Sequence, residues 1–291
     1  MSSVLTMLRP IGAALAGAKP AYVLLAIAVY ALSVPVAAFR WRTVLRGLHH
    51  DAPMGRLMLI NLAAIFVNNV TPASRLGGEA CRVLALVRGR IAATSIAVLS
   101  IVYERISEIP SIAFLVVVAL VVAGRNLPTV TPAGVAVAVL TACVLGAVAV
   151  RLAPVIRRRL RAVITTAMTS RVFAAAAAIS AAVWVLDVMR LWTAAAAIGT
   201  SVSFGQAVTL SAITVAAGLV PSIGGLGVIE GGLVGGLVAF GVQPAEAAAI
   251  TAIERAISYG LASLAGAGAL SALGGRALWN AARTRGDEVA P

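Results

Sequence analysis

The chain has 291 residues, of which 61% are hydrophobic and only 11% are charged, with a formal net charge of +13. Soluble globular proteins carry about 25% charged residues, so the composition excludes that class. The positive charge does not indicate nucleic-acid binding, because long apolar segments separate the arginines and no single basic face results. Such segments are typical of membrane helices, whereas barrel strands give short alternating ones. We therefore predict an all-α integral membrane protein with a single membrane domain over residues 1–291.

Apolar segments of two lengths follow one another along the chain. A helix needs about 20 residues, at 1.5 Å each, to cross the hydrocarbon core. The segments long enough to cross are residues 21–39, 91–124, 132–150, 172–198 and 246–273. Residues 57–70, 204–220 and 231–241 are apolar but too short to span unaided. A basic connector at residues 151–171 and a polar tail at residues 274–291 complete the chain.

Two stretches rich in glycine and proline interrupt the short segments. The first break, TPASRLGGEACR, covers residues 71–82, and the second, VPSIGGLGVIEGG, covers residues 220–232. At membrane depth, non-helical backbone is tolerated only where protein encloses it or where it lines a wet cavity. We therefore predict that each break is the turn of a re-entrant helical hairpin, which enters and leaves the membrane on one side.

The landmarks of the first half recur in the second half. Arg40 and Arg190 are 150 positions apart, and the Glu-Arg pairs that begin at Glu104 and Glu254 have the same spacing. Beyond these pairs the sequence still matches once a single inserted alanine is allowed for. This internal periodicity indicates a duplicated unit, with repeat 1 at about residues 21–124 and repeat 2 at about residues 172–273.

The distribution of basic residues predicts the orientation. If both hairpins are re-entrant, the loop after residue 40, the connector at 151–171 and the C-terminus all face the cytoplasm, as the positive-inside rule favours. The single linking span at 132–150 then inverts the second unit. We predict an inverted-topology repeat, in which transmembrane helices flank a broken re-entrant hairpin in each unit. The predicted location is the cytoplasmic membrane of a prokaryote, with multiple crossings and a cytoplasmic C-terminus.

Charged residues remain inside the predicted membrane segments, where each costs at least ~2.5 kcal/mol unless it is paired or hydrated. Outside the breaks they form a predicted charge network of Glu104, Arg105, Glu108, Asp187, Arg190, Glu254 and Arg255. A purely structural interpretation pairs Asp187 with Arg190, Glu104 with Arg255, and Glu254 with Arg105.

A functional interpretation places a substrate at the two breaks. Where a helix restarts, free N–H groups suit a phosphate or carboxylate, and glycines allow the backbone to approach it. Arg75 adds a bidentate cation, and Glu79 or Glu230 is suited to hold a proton or a cationic headgroup. The candidate substrate-binding residues are Asn69, Arg75, Gly77, Gly78, Glu79, Arg82, Pro221, Ser222, Gly224, Gly225 and Glu230. We expect no catalytic residue, no metal site and no cofactor.

Five ordered motifs resemble the transmembrane region of the lysylphosphatidylglycerol synthase/flippase family. They are RW at Arg40, N-x-x-P-x-x-R-x-GGE-x-x-R at residues 69–82, ER at Glu104, P-S-x-GG-x-G-x-x-E at residues 221–230 and ER at Glu254. The resemblance covers residues 21–273 and implies a flippase-like lipid translocase, not an enzyme. The synthase members carry a soluble aminoacyl-transferase domain, which does not follow residue 273, so we expect no aminoacylation.

The leading prediction is a flippase for a lipid with a charged or glycosylated headgroup, such as a phospholipid or a polyprenyl-phosphate lipid. The alternatives are an ion-coupled transporter of small solutes on the same scaffold, a lipid-modifying enzyme, and a scaffold subunit of a membrane glycosyltransferase. The compatible partners are the membrane lipid itself, a coupling proton or ion, a second copy of the chain, and a glycosyltransferase.

Overall fold

The computed structural model describes residues 2–71, 76–126, 169–218 and 222–274, which are helical and contain no strand. The linking span at 132–150, residues 151–168 of the connector and residues 275–291 of the tail lie outside these ranges. The elements in chain order are α1 (Ser2–Ala16), α2 (Pro20–Gly47), α3 (Met54–Val70), α4 (Leu76–Arg88), α5 (Thr94–Asn126), α6 (Ser170–Ile198), α7 (Phe204–Ala217), α8 (Val228–Ala239), α9 (Pro244–Arg255), a π-helical turn (Ala256–Leu261) and α10 (Ala262–Ala272).

Helix ends follow local sequence signals. Helix α7 begins with a capping box, in which the Ser203 hydroxyl accepts from the Gln206 N–H at 3.2 Å and the Gln206 side chain accepts from the Ser203 N–H at 2.8 Å. Helix α6 ends at Gly199, whose φ of 85° is the left-handed conformation that glycine adopts without strain. Short polar and glycine signals therefore separate apolar segments that periodicity alone does not divide.

Three described helices are long and apolar enough to cross a membrane: Pro20–Gly47, Thr94–Val122 and Ser170–Ile198. Helix α9, the π turn and α10 run on without a break from Pro244 to Ala272. The short apolar helices are Met54–Val70, Phe204–Ala217 and Val228–Ala239, as the segment lengths predict. The chain is a multi-pass membrane protein.

Helix α2 extends beyond its predicted end. Two cations and an aromatic residue, Arg40-Trp41-Arg42, follow the predicted span at residues 21–39, yet α2 continues to Gly47. Arg40 is only 6% exposed, and Trp41 is fully buried. The reason is pairing: the Arg40 guanidinium bonds to Glu104, so these residues lie inside the protein.

The π turn coincides with the extra alanine of the second repeat. Residues 104–107 read Glu-Arg-Ile-Ser, whereas residues 254–258 read Glu-Arg-Ala-Ile-Ser. The π-helical turn begins at the inserted Ala256. A π turn accommodates one additional residue within an α-helix. The insertion is therefore absorbed locally, and the helix on either side continues.

Helices α2 and α6, which contain Arg40 and Arg190 respectively, pack against each other. The Lys19 N–H donates to the Ala197 carbonyl at 2.8 Å at one end. Toward the other end, Arg40 Nη1 donates to the Ser180 hydroxyl at 3.2 Å. Because residue numbers rise along one helix while they fall along the other, α2 and α6 are antiparallel.

Each break joins two antiparallel short helices. In the α3–α4 hairpin, Gly78 lies against Asn68 near the turn and Gly89 lies against Arg56 near the open end. In the α7–α8 hairpin, Gly236 lies against Leu210. The first hairpin opens where α2 ends and the second opens where α6 ends. Since α2 and α6 are antiparallel, the two hairpins open at opposite ends of the bundle.

The halves exchange packing partners. Helix α3 of the first half packs on α10 of the second, and α7 of the second half packs on α5 of the first. Gly266 allows the closest approach, because a side chain there would meet the Phe66 Cβ at 2.6 Å and the Leu62 backbone. Each short hairpin therefore packs on the opposite half as well as on its own.

One end of the bundle is strongly basic. Helix α6 begins beside Arg42 and Arg46 of α2, since Val172 lines a common cleft with them. The described arginines at this end are Arg42, Arg46, Arg56, Arg88, Arg90 and Arg171. The described acid there is Asp51, which accepts from Arg42 at 2.7 Å and from Arg46 at 3.0 Å. These two guanidinium groups hold the pKa of the Asp51 carboxyl well below its usual range.

Candidate functional site

The second break contacts the end of α3, which directly precedes the first break. At the end of α3, the Asn69 carbonyl accepts from the Tyr259 hydroxyl at 3.1 Å, and the Asn69 amide donates to the Ser263 hydroxyl at 2.9 Å. Gly224 of the second break lies against the same residue, since a Cβ there would stand 3.0 Å from the Asn69 carbonyl oxygen. Its φ of +58° also favours glycine. The chain thus brings two sequences about 150 residues apart into contact.

The first half contains a cluster of six charged side chains. Glu104 is 1% exposed; it accepts from Arg40 at 2.8 Å and also bonds to Arg82. Glu79 of the first hairpin bonds to Arg105 and, at 3.1 Å, to Arg82. The members of this first ion-pair cluster are Arg40, Glu79, Arg82, Glu104, Arg105 and Glu108.

An aromatic ring completes the surroundings of Arg82. Its guanidinium carbon lies 4.0 Å from the centroid of the Trp41 ring. Trp41 is itself fixed, because its indole N–H donates to the Ser100 hydroxyl at 3.1 Å. The planar guanidinium therefore stacks on a buried ring while its edge meets two carboxylates, which is a geometry that lysine does not reproduce.

The second half contains a smaller cluster. Arg190 pairs with Asp187 at 2.7 Å and with Glu254 at 2.8 Å. Arg255 pairs with Glu230 of the second hairpin at 2.7 Å and donates to the Gly224 carbonyl at 3.0 Å. Arg255, at the end of α9, thus binds two parts of the second break, the Gly224 carbonyl and the Glu230 carboxylate.

Equivalent residues make equivalent ion pairs in the two halves. Arg40 pairs with Glu104 as Arg190 pairs with Glu254, each at 2.8 Å. In the same way, Glu79 bonds to Arg105 as Glu230 bonds to Arg255. The predicted pair of Asp187 with Arg190 is present.

The predicted cross-repeat pairs of Glu104 with Arg255 and of Glu254 with Arg105 are wrong. Each carboxylate finds an arginine of its own half. Within each half, the hairpin and the two long helices that flank it bring the carboxylates and guanidinium groups within bonding distance of each other. Each carboxylate therefore pairs inside its own half.

Two adjoining cavities lie between the clusters. One, of about 260 Å³, is bounded by the second break, α6 and α9, and the other, of about 250 Å³, is bounded by α2, α4 and α5. They share four lining residues from α3 and α6: Ile65, Asn68, Asp187 and Arg190. We refer to the two cavities together as the polar chamber.

Several polar atoms of the chamber wall have unused hydrogen-bonding capacity. Among the described residues, the Tyr30 hydroxyl, Arg190 Nε and the Ser258 hydroxyl are buried without a hydrogen-bond partner, and all three residues line the chamber. Buried polar groups are usually satisfied. These atoms are therefore available to a polar ligand.

The charge of the described clusters is nearly balanced. The first cluster has three arginines and three glutamates. The second has Arg190 and Arg255 against Asp187, Glu230 and Glu254, which leaves one carboxylate in excess. An anionic ligand in this part of the chain would compete with the carboxylates that already pair with the arginines. Arg105, with a side chain 39% exposed, is the most accessible of the first cluster.

Most predicted site residues lie at the chamber. Its lining includes Asn69, Gly78, Glu79, Arg82, Ser222, Gly224 and Gly225. Glu230 and Glu108 reach it through their arginine partners, Arg255 and Arg105. Gly77 packs against Thr71 of the first break. Arg75 and Pro221 lie outside the described residues. In the described ranges, no group of three or more His, Cys, Asp or Glu side chains is arranged to hold a metal ion.

The sequence-based site omitted Arg40, Asn68, Tyr30 and Trp184, which also line the chamber. Arg40 was predictable as a site residue, because it lies 150 positions before Arg190, which belongs to the predicted charge network. Asn68 binds the Gly78 N–H through its side chain at 2.7 Å. Tyr30 and Trp184 are aromatic residues within apolar helices, and no local pattern distinguishes them from lipid-facing residues.

Comparison with known proteins places this architecture in a family. A relative from Methanothermobacter thermautotrophicus, described as a UPF0104 membrane protein, is 24% identical over 299 residues, which cover 90% of this chain and 88% of that protein. A UPF0104 membrane protein from Pyrococcus horikoshii is 40% identical over 63 residues, 22% of this chain and 19% of that protein. A third, from Methanocaldococcus jannaschii, is 31% identical over 90 residues, 31% of this chain and 27% of that protein.

The family match covers most of the chain. The family described as "Lysylphosphatidylglycerol synthase TM region" matches residues 3–266, which include both hairpins and both ion-pair clusters. The chain belongs to the lysylphosphatidylglycerol synthase transmembrane-region family and is similar to UPF0104 membrane proteins.

Proposed function

We propose that this protein is a membrane lipid translocase, which moves a lipid with a charged or glycosylated headgroup between leaflets by alternating access. The observation that carries the proposal is the contact of the second break with the end of α3, Gly224 against Asn69, beside a polar chamber to which both halves contribute. Broken helices that meet near the midplane build the substrate sites of many secondary transporters.

An inverted-topology repeat is part of the proposal. The antiparallel packing of α2 and α6 supports it, as do the hairpins that open at opposite ends and the equivalent ion pairs in the two halves. In the membrane, each hairpin enters and leaves on its own side. Residues 21–124 and 172–273 then form the two repeats, with residues 132–150 as the span that inverts the second.

The proposed mechanism uses the equivalent ion pairs as latches. Glu79 with Arg105 holds the first hairpin to α5, and Glu230 with Arg255 holds the second to α9. A headgroup phosphate entering the chamber competes with these carboxylates, because guanidinium groups bind either anion through two parallel bonds. Release of one latch opens the chamber to one leaflet while the other latch stays closed.

The excess carboxylate of the second cluster supports coupling to a proton or a cation. Asp187 and Glu254 share one partner, Arg190, and Asp187 lines both cavities. A proton or cation bound there would neutralise the excess charge. The same observation favours a second candidate, an ion-coupled transporter of small solutes, which would differ by having no lateral opening to lipid.

The basic end of the bundle supports a cytoplasmic orientation for Arg42, Arg46 and Arg171 under the positive-inside rule. The first hairpin, which opens at that end, then enters from the cytoplasm, and the second enters from outside. We place the protein in the cytoplasmic membrane of a prokaryote with a cytoplasmic C-terminus.

The test is a translocation assay in proteoliposomes. Phosphatidylglycerol and a polyprenyl phosphate, each carrying a fluorescent NBD group, serve as probes, and dithionite bleaches the outer leaflet. We expect the wild-type protein to expose inner-leaflet probe of at least one kind. Glu230→Gln, which breaks the second latch, and Arg75→Ala are expected to slow exposure roughly tenfold.

The matched control is Glu246→Gln, which removes a carboxylate that bonds to Thr200 outside the chamber. It should translocate at the wild-type rate. Failure of the wild-type protein to move either probe would overturn the translocase proposal. Wild-type rates in both Glu230→Gln and Arg75→Ala would overturn the assignment of the site.

A further inference from the structure

An apolar groove runs along the outside of the bundle between α5, α6 and α7. It has a volume of about 300 Å³ and is lined by Phe114 and Leu115 of α5, by Ala181 and Val185 of α6, and by Phe204 of α7. Phe114 is 68% exposed and Phe204 is 55% exposed. The groove therefore opens on the surface that faces lipid in a multi-pass membrane protein.

The groove adjoins the polar chamber at a single side chain. Trp184 lines the groove and also lines the cavity that contains Asp187, Arg190 and Glu254. No hydrogen bond of its indole N–H is found within the described residues. Tryptophan prefers positions where an apolar body meets a polar boundary. Trp184 therefore lies at the boundary between the apolar groove and the polar chamber.

We propose that the hydrocarbon chain of the substrate lipid lies in this groove while its headgroup occupies the polar chamber, with Trp184 between the two parts. The inference rests on the proposed translocase function and specifies how the lipid is held. The combined space suits an amphiphile, because one part is lined by apolar side chains and the adjoining part by paired charges.

Other occupants of the groove explain less. A covering helix, from residues 132–150 or from a second copy of the chain, would account for the exposed Phe114 and Phe204. It would not account for the contact of the groove with charged side chains through Trp184. The residue 150 positions before Trp184 is Val34, which lacks an indole ring. The site for the hydrocarbon chain therefore has no equivalent in the first half.

Helix α6 supplies a matched pair of positions for the test. Ala181 lines the apolar groove, whereas its neighbour Ala182 lines a separate apolar cleft against α2. Both alanines are exposed. Ala181→Phe fills the apolar groove, and Ala182→Phe adds the same side chain to the same helix at the cleft against α2. Ala177→Leu and Ala178→Leu repeat this contrast one turn earlier, should a phenylalanine prevent folding.

The experiment uses full-length protein in nanodiscs that contain phosphatidylglycerol with a photoreactive diazirine in its acyl chain. After illumination, mass spectrometry locates the labelled peptides. We expect the α5 and α6 peptides that line the groove to be labelled above other lipid-facing helices. Labelling should fall at least fivefold in Ala181→Phe and stay within twofold of the wild-type level in Ala182→Phe. Excess unlabelled lipid should compete with it.

Equal labelling in the two variants, or uniform labelling of all lipid-facing surfaces, would overturn the inference. A disulfide from an introduced Ala181→Cys to Cys143 of residues 132–150, or to the same cysteine of a second copy, would overturn it as well. Labelling is an equilibrium measurement that requires no transport. Groove labelling without translocation would therefore contradict only the proposed function, whereas translocation without preferential groove labelling would contradict only this inference.

Discussion

Glu104 illustrates how this protein carries charge inside the membrane. Its side chain is 1% exposed and contacts the guanidinium groups of Arg40 and Arg82. Burying such a pair costs desolvation energy that the attraction only partly offsets, yet removing one member leaves an uncompensated charge. The cluster is therefore sensitive to the loss of any member, even where its net contribution to stability is small.

This sensitivity predicts a graded effect of neutralising carboxylates. Glu104→Gln should lower the free energy of unfolding by about 3 kcal/mol, since it leaves two buried guanidinium groups short of a partner. Glu230→Gln should cost less, about 1 kcal/mol, because the Glu230 side chain is 31% exposed and Arg255 keeps its bond to the Gly224 carbonyl. Thermal unfolding of the purified variants in one detergent measures the difference. Equal losses would contradict the assigned burial.

The sequence identified most of the charged residues and the pair of Asp187 with Arg190, but not the other pairs. The 150-residue spacing selected Glu104, Arg190 and Glu254, and all three lie at the chamber. It did not indicate whether pairs form within a half or across halves, because that depends on how the hairpins fold back. The position of Arg40 was not predictable either, because an Arg-Trp-Arg sequence after an apolar segment fits both an interfacial anchor and a buried cluster.

At the level of elements, the fold depends on one close helix crossing. Helix α3, too short to span unaided, packs on α10, where Gly266 lies against the backbone of Leu62 and against Phe66. Small residues permit such approaches between membrane helices, where packing replaces the hydrophobic driving force. The first hairpin therefore depends on a glycine of the second half.

Gly266→Ala is expected to destabilise the protein, because its Cβ would meet the Phe66 Cβ at 2.6 Å and no flexible side-chain end can move away. Gly268→Ala is the matched control, since no atom lies within 4 Å of a Cβ at that position two residues along the same helix. We expect Gly266→Ala to lower Tm by several degrees and Gly268→Ala to leave it unchanged or raised. A lower Tm in Gly268→Ala alone would contradict the crossing.

The lengths and types of the helices were predictable, but the exact ends were not. Apolar length separated the spanning helices from the short ones because the bilayer sets a minimum length. The inserted Ala256 indicated an irregularity at the position of the π turn. It did not predict a π turn, because that depends on the contacts that the helix keeps on both sides of the insertion. The contact of Asn69 with Tyr259 and Ser263 was not predictable, because no local pattern links residues about 190 positions apart.

For the whole molecule, charge and topology favour one orientation. The basic end contains six of the described arginines, with Asp51 as the described acid. At the opposite end, where α6 ends and α7 begins, lie Lys19 and Glu246. The first hairpin opens at the basic end and the second at the opposite end. The central claim of our account is that these hairpins enter the bilayer from opposite surfaces.

Single-cysteine accessibility in intact cells tests this claim most directly. In a background with Cys81→Ser and Cys143→Ser, cysteines at the exposed positions Gly55 and Ala93 flank the first hairpin, and cysteines at the exposed positions Ser201 and Gln243 flank the second. A membrane-impermeant maleimide should label Ser201→Cys and Gln243→Cys from outside, and Gly55→Cys and Ala93→Cys only after the membrane is opened. Labelling of the two ends of one hairpin from opposite sides, or of all four positions from one side, would contradict the account.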